Sequence, residues 1–258
     1  MWSLIKKELR ENFMKFVVMF AVIFGTALSL IPYGYNMTSQ LPKELLNNPA
    51  IPKSIMNQLG AMLPKLKDIN FFIYSQWFGK NLWELALFFA IIVSIGAIAG
   101  ETERKSSVYL FSRPVTRKSI LLSKLIVIFT FLIITVTFST YLLPILANKI
   151  PLSVNIHLLN IGLLYAIIGT LATAAISILF STLIDDRVRA GLAAFAVVIG
   201  TIPISYIKGM SWISITNLYI SGEAFKLNRV YAPPIIWGIV IIIACITFSY
   251  YILREKEF

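Results

Sequence analysis

Residues 16–35 read FVVMFAVIFGTALSLIPYGY, twenty consecutive positions without one formally charged side chain. A hydrocarbon core roughly 30 Å thick is crossed by about twenty apolar residues in a helix, so this stretch has the length and composition of one membrane span. Five more apolar runs follow, at about 82–100, 120–147, 158–184, 191–207 and 235–253. The composition has the same cause. Of the 258 residues 58% are hydrophobic and 14% charged, with a mean hydropathy of +0.80, against roughly half and a quarter in a soluble domain. Six spans use most of the chain and leave no length for a second domain. The fold class expected is therefore all-α: a polytopic membrane protein with six transmembrane helices, forming a single transmembrane domain over residues 1–258.

Upstream of the first run, Trp2, Ile5, Leu9 and Phe13 recur at spacings of three and four, with Lys6, Lys7, Arg10 and Glu11 between them. That is the pattern of an amphipathic helix lying in the membrane interface over residues 1–13, its basic face toward anionic headgroups. It lacks the apolar stretch and small-residue cleavage site of a removable signal, so the first span is expected to act as its own insertion signal. Downstream, residues 37–81 carry Pro42, Pro49, Pro52, Pro64 and five lysines, and are expected to form a long extracytoplasmic loop. Within it Ile55, Leu59, Met62 and Leu66 keep helical spacing and predict a short surface helix. Residues 210–219 are too polar to span but amphipathic enough to re-enter or lie flat. On this topology fourteen Lys and Arg fall on one side and nine on the other, five of the nine in the long loop, where charge weighs little on orientation. Both termini are thus expected in the cytoplasm, the chain being a multi-pass protein of the cell membrane. The excess of 23 basic over 12 acidic residues is scattered between spans rather than gathered on one face, which fits membrane lipids and not nucleic acid.

Residues available for chemistry are few. The single histidine, His157, lies in a short outer turn, and the single cysteine, Cys245, in the last span. A metal site or a nucleophilic triad needs several convergent groups, so no catalytic residue, metal or cofactor is expected on this chain. Glu84 falls near the outer end of the second run and Asp185 and Asp186 at an inner end, which leaves no acid at the midplane of the kind that proton- or sodium-coupled transport uses. The phosphate-cradling pattern G-x-x-x-x-G-K-[ST] is absent, since Gly79-Lys80 lacks both the upstream glycine and the following Ser/Thr. If ATP drives this protein, another chain binds it. Small residues mark close helix approaches: Gly96 and Gly100 form a GxxxG at the end of the second run, and Gly169, Thr173, Ser177 and Ser181 share one face of the fourth. They are expected to serve helix packing, although such faces also line pathways and dimer seams.

The most informative polar stretch is GETERKSSVYLFSRPVTRKSILLSK, residues 100–124. Glu101 and Glu103 stand at its start and Arg113 and Arg117 toward its end, so a short helix between them would carry charges that match its dipole at both termini. Val108, Leu110 and Phe111 give it an apolar side. Pro114 cannot continue a helix interior, and Thr116 is placed to cap the helix that becomes the third span. Such a stub suits a groove on a soluble partner; the same charges equally describe a solvated, positive-inside loop.

At these residues the chain resembles the permease subunits of type-2 ATP-binding-cassette (ABC) transporters. Their first cytoplasmic loop reads roughly G-E-x-E-x-G-T, several apolar positions, then P-V-S-R and a lysine. Gly100, Glu101, Glu103, Pro114, Val115, Thr116, Arg117 and Lys124 fall on that pattern, while Lys105 and Ser106 stand where Gly-Thr is usual. The turn Asp185-Asp186-Arg187-Val188-Arg189-Ala190-Gly191 and the order of amphipathic helix, six spans and long first outer loop are similar too. The resemblance implies a coupling helix over Glu101 to Phe111, with Ile184 to Arg189 as a second contact for a separate ABC ATPase subunit. The residues it assigns to ATPase coupling are Glu101, Glu103, Arg104, Arg113, Arg117, Asp185, Asp186 and Arg187. It further implies a dimer with a second permease copy or paralogue, an exporter working by alternating access at the dimer seam, and no enzyme activity on this chain. A non-transporting membrane scaffold subunit of an ABC-like assembly is the alternative. Cargo in this family ranges from peptides, drugs and lipids to polysaccharides and ions, and the sequence does not choose among them.

Overall fold

The computed structural model describes residues 1–37, 65, 67–103, 115–149, 152–207, 209–220 and 222–256. Among them there is no strand, and six helices are long and apolar enough to cross a membrane. Helix α1 (Trp2–Ser29) runs on into π-helical turns over Leu30–Tyr35, so the amphipathic segment and the first span make one rod of 34 residues. No turn sets the segment off as a separate interfacial element, because Met14 and Lys15 at the expected junction are both good helix formers. Trp2, Leu9 and Phe13 point outward, and it is the opposite side, Leu4, Glu8 and Asn12, that packs inward.

The second helix, α2 (Ile69–Ile95), starts well before the expected Leu82. Asp68 caps it, its side chain accepting from the amide of Asn70 at 2.9 Å. Its first half includes a π-helical stretch, Ile73–Leu82, in which polar Gln76, Lys80 and Asn81 alternate with Ile73, Trp77, Phe78 and Leu82, all four buried. The helix ends at Ile95, the chain turns through Gly96 to Ile98, and a one-turn helix α3 (Ala99–Glu103) follows. Consequently Glu84 lies fifteen residues inside a helix rather than near its outer start, and its side chain is exposed. The surface helix predicted over residues 55–66 and the body of the stub after Glu103 lie outside the described residues.

The third span is α4 (Arg117–Ala147), capped as expected by Thr116, whose hydroxyl accepts from Ser119 N at 3.2 Å. The fourth is α5 (Ile156–Leu183), capped by Asn155. The fifth, α6 (Arg187–Gly200), is capped by Asp186 and followed by a 3-10 turn, Pro203–Tyr206. The polar stretch after it folds into a 3-10 turn (Ser211–Ile213) and two short helices, α7 (Ile215–Ile220) and α8 (Gly222–Leu227), before the last span, α9 (Ala232–Glu255).

Helix α5 is the axis of the bundle: α2, α4, α6, α7 and α9 all pack on it. Its small residues explain why. A Cβ at Gly162 would lie 2.6 Å from the ring of Phe78, and one at Gly169 would lie 2.8 Å from the ring of Tyr219. Glycine lets α2 and α7 approach the α5 backbone itself. Thr173 meets the Tyr219 hydroxyl at 2.9 Å, and Ser177 satisfies itself on the carbonyl of Thr173. Both are fully buried, so these side chains lie in helix contacts. The outer spans differ sharply. Helices α6 and α9 turn most of their apolar length outward. The first residues of α1 and the last turn of α9 lie at one end of the bundle, here the terminal end; Tyr35, the start of α2 and the described residues between Pro203 and Tyr231 form the far end.

Candidate coupling face

The terminal end is where the charged residues of the sequence gather. Glu8 and Asn12 lie one helical turn apart on the inward side of α1, and Lys124 lies two turns into α4. The Lys124 ammonium is 2% exposed and sits 2.8 Å from Glu8 Oε1 and 3.1 Å from Glu101 Oε1. Lys7 reaches Glu101 at 3.2 Å and Glu11 at 3.5 Å, while Asn12 donates to Glu8 Oε2 and accepts from Lys15. Oxygens of Glu8, Glu11 and Glu101 converge within 4.8 Å, a spacing that could hold a cation. Lys124 and Lys7 already supply positive charge to all three, so the site reads as a lysine–carboxylate cluster. Such a buried cluster is stable only as a whole, because a charge deprived of its partner keeps its desolvation cost. It ties three elements together: α1, α3 and α4.

Glu101, which the resemblance assigns to ATPase coupling, has its carboxylate 10% exposed and turned into this cluster, where it anchors the root of α3. A second anchor is Ser181, near the end of α5. Its hydroxyl donates to Ile95 O at 2.8 Å and accepts from Ile98 N at 3.0 Å and Ala99 N at 2.9 Å. One side chain thus holds both lips of the break between α2 and α3. Gly100 approaches Arg187, and Gly96 approaches the ammonium of Lys15, so the expected GxxxG receives basic side chains rather than another helix backbone.

The exposed charges form a second layer. Glu103 and Arg187 pair across α3 and α6. This hydrogen-bonded guanidinium holds the Glu103 carboxyl below its usual range. Asp186 is spent on capping α6, accepting from Arg189 N at 2.7 Å. Asp185 pairs with Lys256, whose ammonium also reaches Thr182 O at 3.0 Å. Arg117, at the start of α4, donates to the carbonyls of Leu253, Arg254 and Lys256, where the negative end of the α9 dipole favours a cation. The structure therefore brings Glu103, Arg117, Asp185, Asp186 and Arg187 to one end, joined through the last turn of α9. Arg104 and Arg113 lie outside the described residues. Lys7, Glu8, Asn12, Lys15 and Lys256 are not legible from sequence as site residues, and Ser181 is legible only as part of a small-residue helix face. The polar pair Glu8 and Asn12, on the side of α1 away from its apolar stripe, was the one available signal.

Two anchored layers thus close one end of an apolar bundle. No curated protein and no solved structure shows significant similarity to the chain. The family described as ABC-2 family transporter protein matches residues 2–221, a range that takes in α1, both anchored layers apart from the last turn of α9, and five of the six spans. With most of its length matched, the chain belongs to the ABC-2 family of transporter permeases.

Proposed function

We propose that the chain is the permease subunit of an ATP-driven exporter, that its terminal end faces the cytoplasm, and that a separate ABC ATPase drives it there. The carrying observation is the linkage of Glu103 to Arg187 and of Asp185 to Lys256. It joins the two segments that the family pattern assigns to ATPase contact, so a push on either is transmitted to α5, α6 and α9 together. The bias of Lys and Arg toward the same end supports a cytoplasmic orientation. The missing phosphate-binding loop supports a separate ATPase. Two copies of the permease, rocked by closure of two ATPases, would alternate access to a pathway at their seam.

Co-purification with an ATPase encoded nearby, followed by hydrolysis measurements in vesicles, tests this reading. Glu103→Arg and Arg187→Glu are each expected to lower cargo-stimulated hydrolysis, and the double reversal to restore part of it. Hydrolysis indifferent to all three variants, or a cysteine at Glu103 labelled only from outside the cell, would overturn the proposal.

A further inference from the structure

At the far end a cavity of about 230 Å³ opens between α2, α5, α7, α8 and the start of α9. Its walls include Tyr74, Tyr165, Trp212 and Tyr231, and its rim carries Glu223 and Lys226. The walls are held in place. The Tyr165 hydroxyl donates to Tyr231 O and accepts from Tyr231 N at 2.9 Å. Tyr74 stacks on Phe225 with ring centroids 4.1 Å apart. Glu223 and Lys226 face each other at 3.2 Å, both more than half exposed, so each keeps coordination capacity toward the opening.

Trp212 also lines a second, open hollow of about 360 Å³, whose other walls are Pro233, Ile236, Trp237 and Val240. This hollow has no polar lining and runs along the outward side of α9, a membrane span on which Ile236, Ile239, Val240 and Ile243 are exposed. The indole N–H of Trp212 bonds Gly209 O and that of Trp237 bonds Ile213 O, both at 2.9 Å. With their polar atoms satisfied on backbone, the two indoles stand edge to face at 6.0 Å and present apolar rings. Tryptophan is enriched at the headgroup level of a bilayer.

We propose that these two hollows form one binding site for a zwitterionic phospholipid of the leaflet at the far end. The headgroup occupies the aromatic cavity and one acyl chain lies along Trp212, Trp237 and Val240. The ammonium of the headgroup meets Glu223 and the faces of the surrounding rings, and its phosphate meets Lys226. Phosphatidylglycerol brings no cation for Glu223, and a soluble sugar or amine leaves the apolar hollow empty. The site depends on the bilayer alone, and holds whichever way the chain is inserted and whatever it transports.

Native mass spectrometry of the delipidated full chain in detergent tests the site. Its probes are phosphatidylethanolamine, phosphatidylglycerol and diacylglycerol of the same acyl composition, and soluble glycerophosphoethanolamine. Phosphatidylethanolamine is expected to bind most tightly. Glu223→Gln with Lys226→Gln should weaken it about tenfold, toward the level of diacylglycerol. Trp237→Ala should weaken all three lipids. The exchange Glu223→Lys with Lys226→Glu keeps both charges on the rim and should retain the preference, and unchanged melting of each variant separates binding from misfolding. A photoreactive acyl chain should label the peptide that contains Trp237 and Val240. Three lipids binding alike, a preference for phosphatidylglycerol, soluble headgroup binding as tightly as whole lipid, or labelling confined to other helices would each overturn the proposal.

Discussion

Lys124 shows how one side chain decides the state of its surroundings. It is buried with two carboxylates from two other elements, so removing its charge leaves Glu8 with an uncompensated negative charge and Glu101 with Lys7 alone. Lys124→Met is expected to destabilise the chain by about 3–5 kcal/mol, read as a lower melting temperature in detergent. Adding Glu8→Gln should recover part of the loss, because the stranded charge is then gone; a double variant less stable than the single would contradict the cluster. Glu103 is the exposed counterpart. Its hydrogen bond to Arg187 holds its carboxyl below the ordinary range, so the pairing is in full force above that range. It is lost only as pH falls through the lowered value, and alkaline pH leaves it intact. In a carbon-13 titration of the glutamates, the resonance that Glu103→Gln removes should show a depressed midpoint, and Arg187→Gln should return that midpoint to the ordinary range.

The break between α2 and α3 is an element-scale feature that hangs on Ser181. Ser181→Ala deprives Ile98 and Ala99 of the acceptor for their buried amides and Ile95 O of a donor, at a cost of about 1–3 kcal/mol. Faster hydrogen exchange at residues 98–103, with α5 unchanged, is the expected signature. This break also marks the limit of what the sequence discloses. The spans were legible because their apolar runs are long enough to cross a bilayer, and Thr116 at the start of α4 announced itself by type and place. The start of α2 was hidden because Gln76, Lys80 and Asn81 depress hydropathy over the turns where Trp77 and Phe78 are buried. For the site, Lys124 stood out in the family pattern, but its partner Glu8 is 116 residues away, and only packing of α1 on α4 brings them together. Likewise Lys256 gave no sign of reaching Asp185. Local spacing reports faces of helices; it does not report which faces meet.

At the scale of the molecule, the outward surface is unevenly suited to lipid. Helix α9 is 24 residues long and presents an unbroken apolar side. Helix α6 has 14 regular residues, and its span reaches 20 residues only through the turns that follow it up to Tyr206. Beside it, the outward side of α2 carries Lys80, Glu84, Phe88 and Ile92 at intervals of four, and Phe88 stacks on Phe195 of α6 at 5.6 Å. A lipid covering this region would meet Lys80 and Glu84, two exposed charges well inside the second span and costly in hydrocarbon. A second copy of the chain, related by a two-fold axis, would meet Lys80 with the partner's Glu84 and cover the apolar residues as well. In a Cys245→Ser background, single cysteines at Ile92 and Leu192 are therefore expected to crosslink between two copies in native membranes. A cysteine at Ile243 on α9 is expected to stay monomeric under the same oxidant. Crosslinking at Ile243 with none at Ile92 or Leu192 would place the seam on α9 and leave Glu84 facing lipid, an arrangement the cost of its charge argues against.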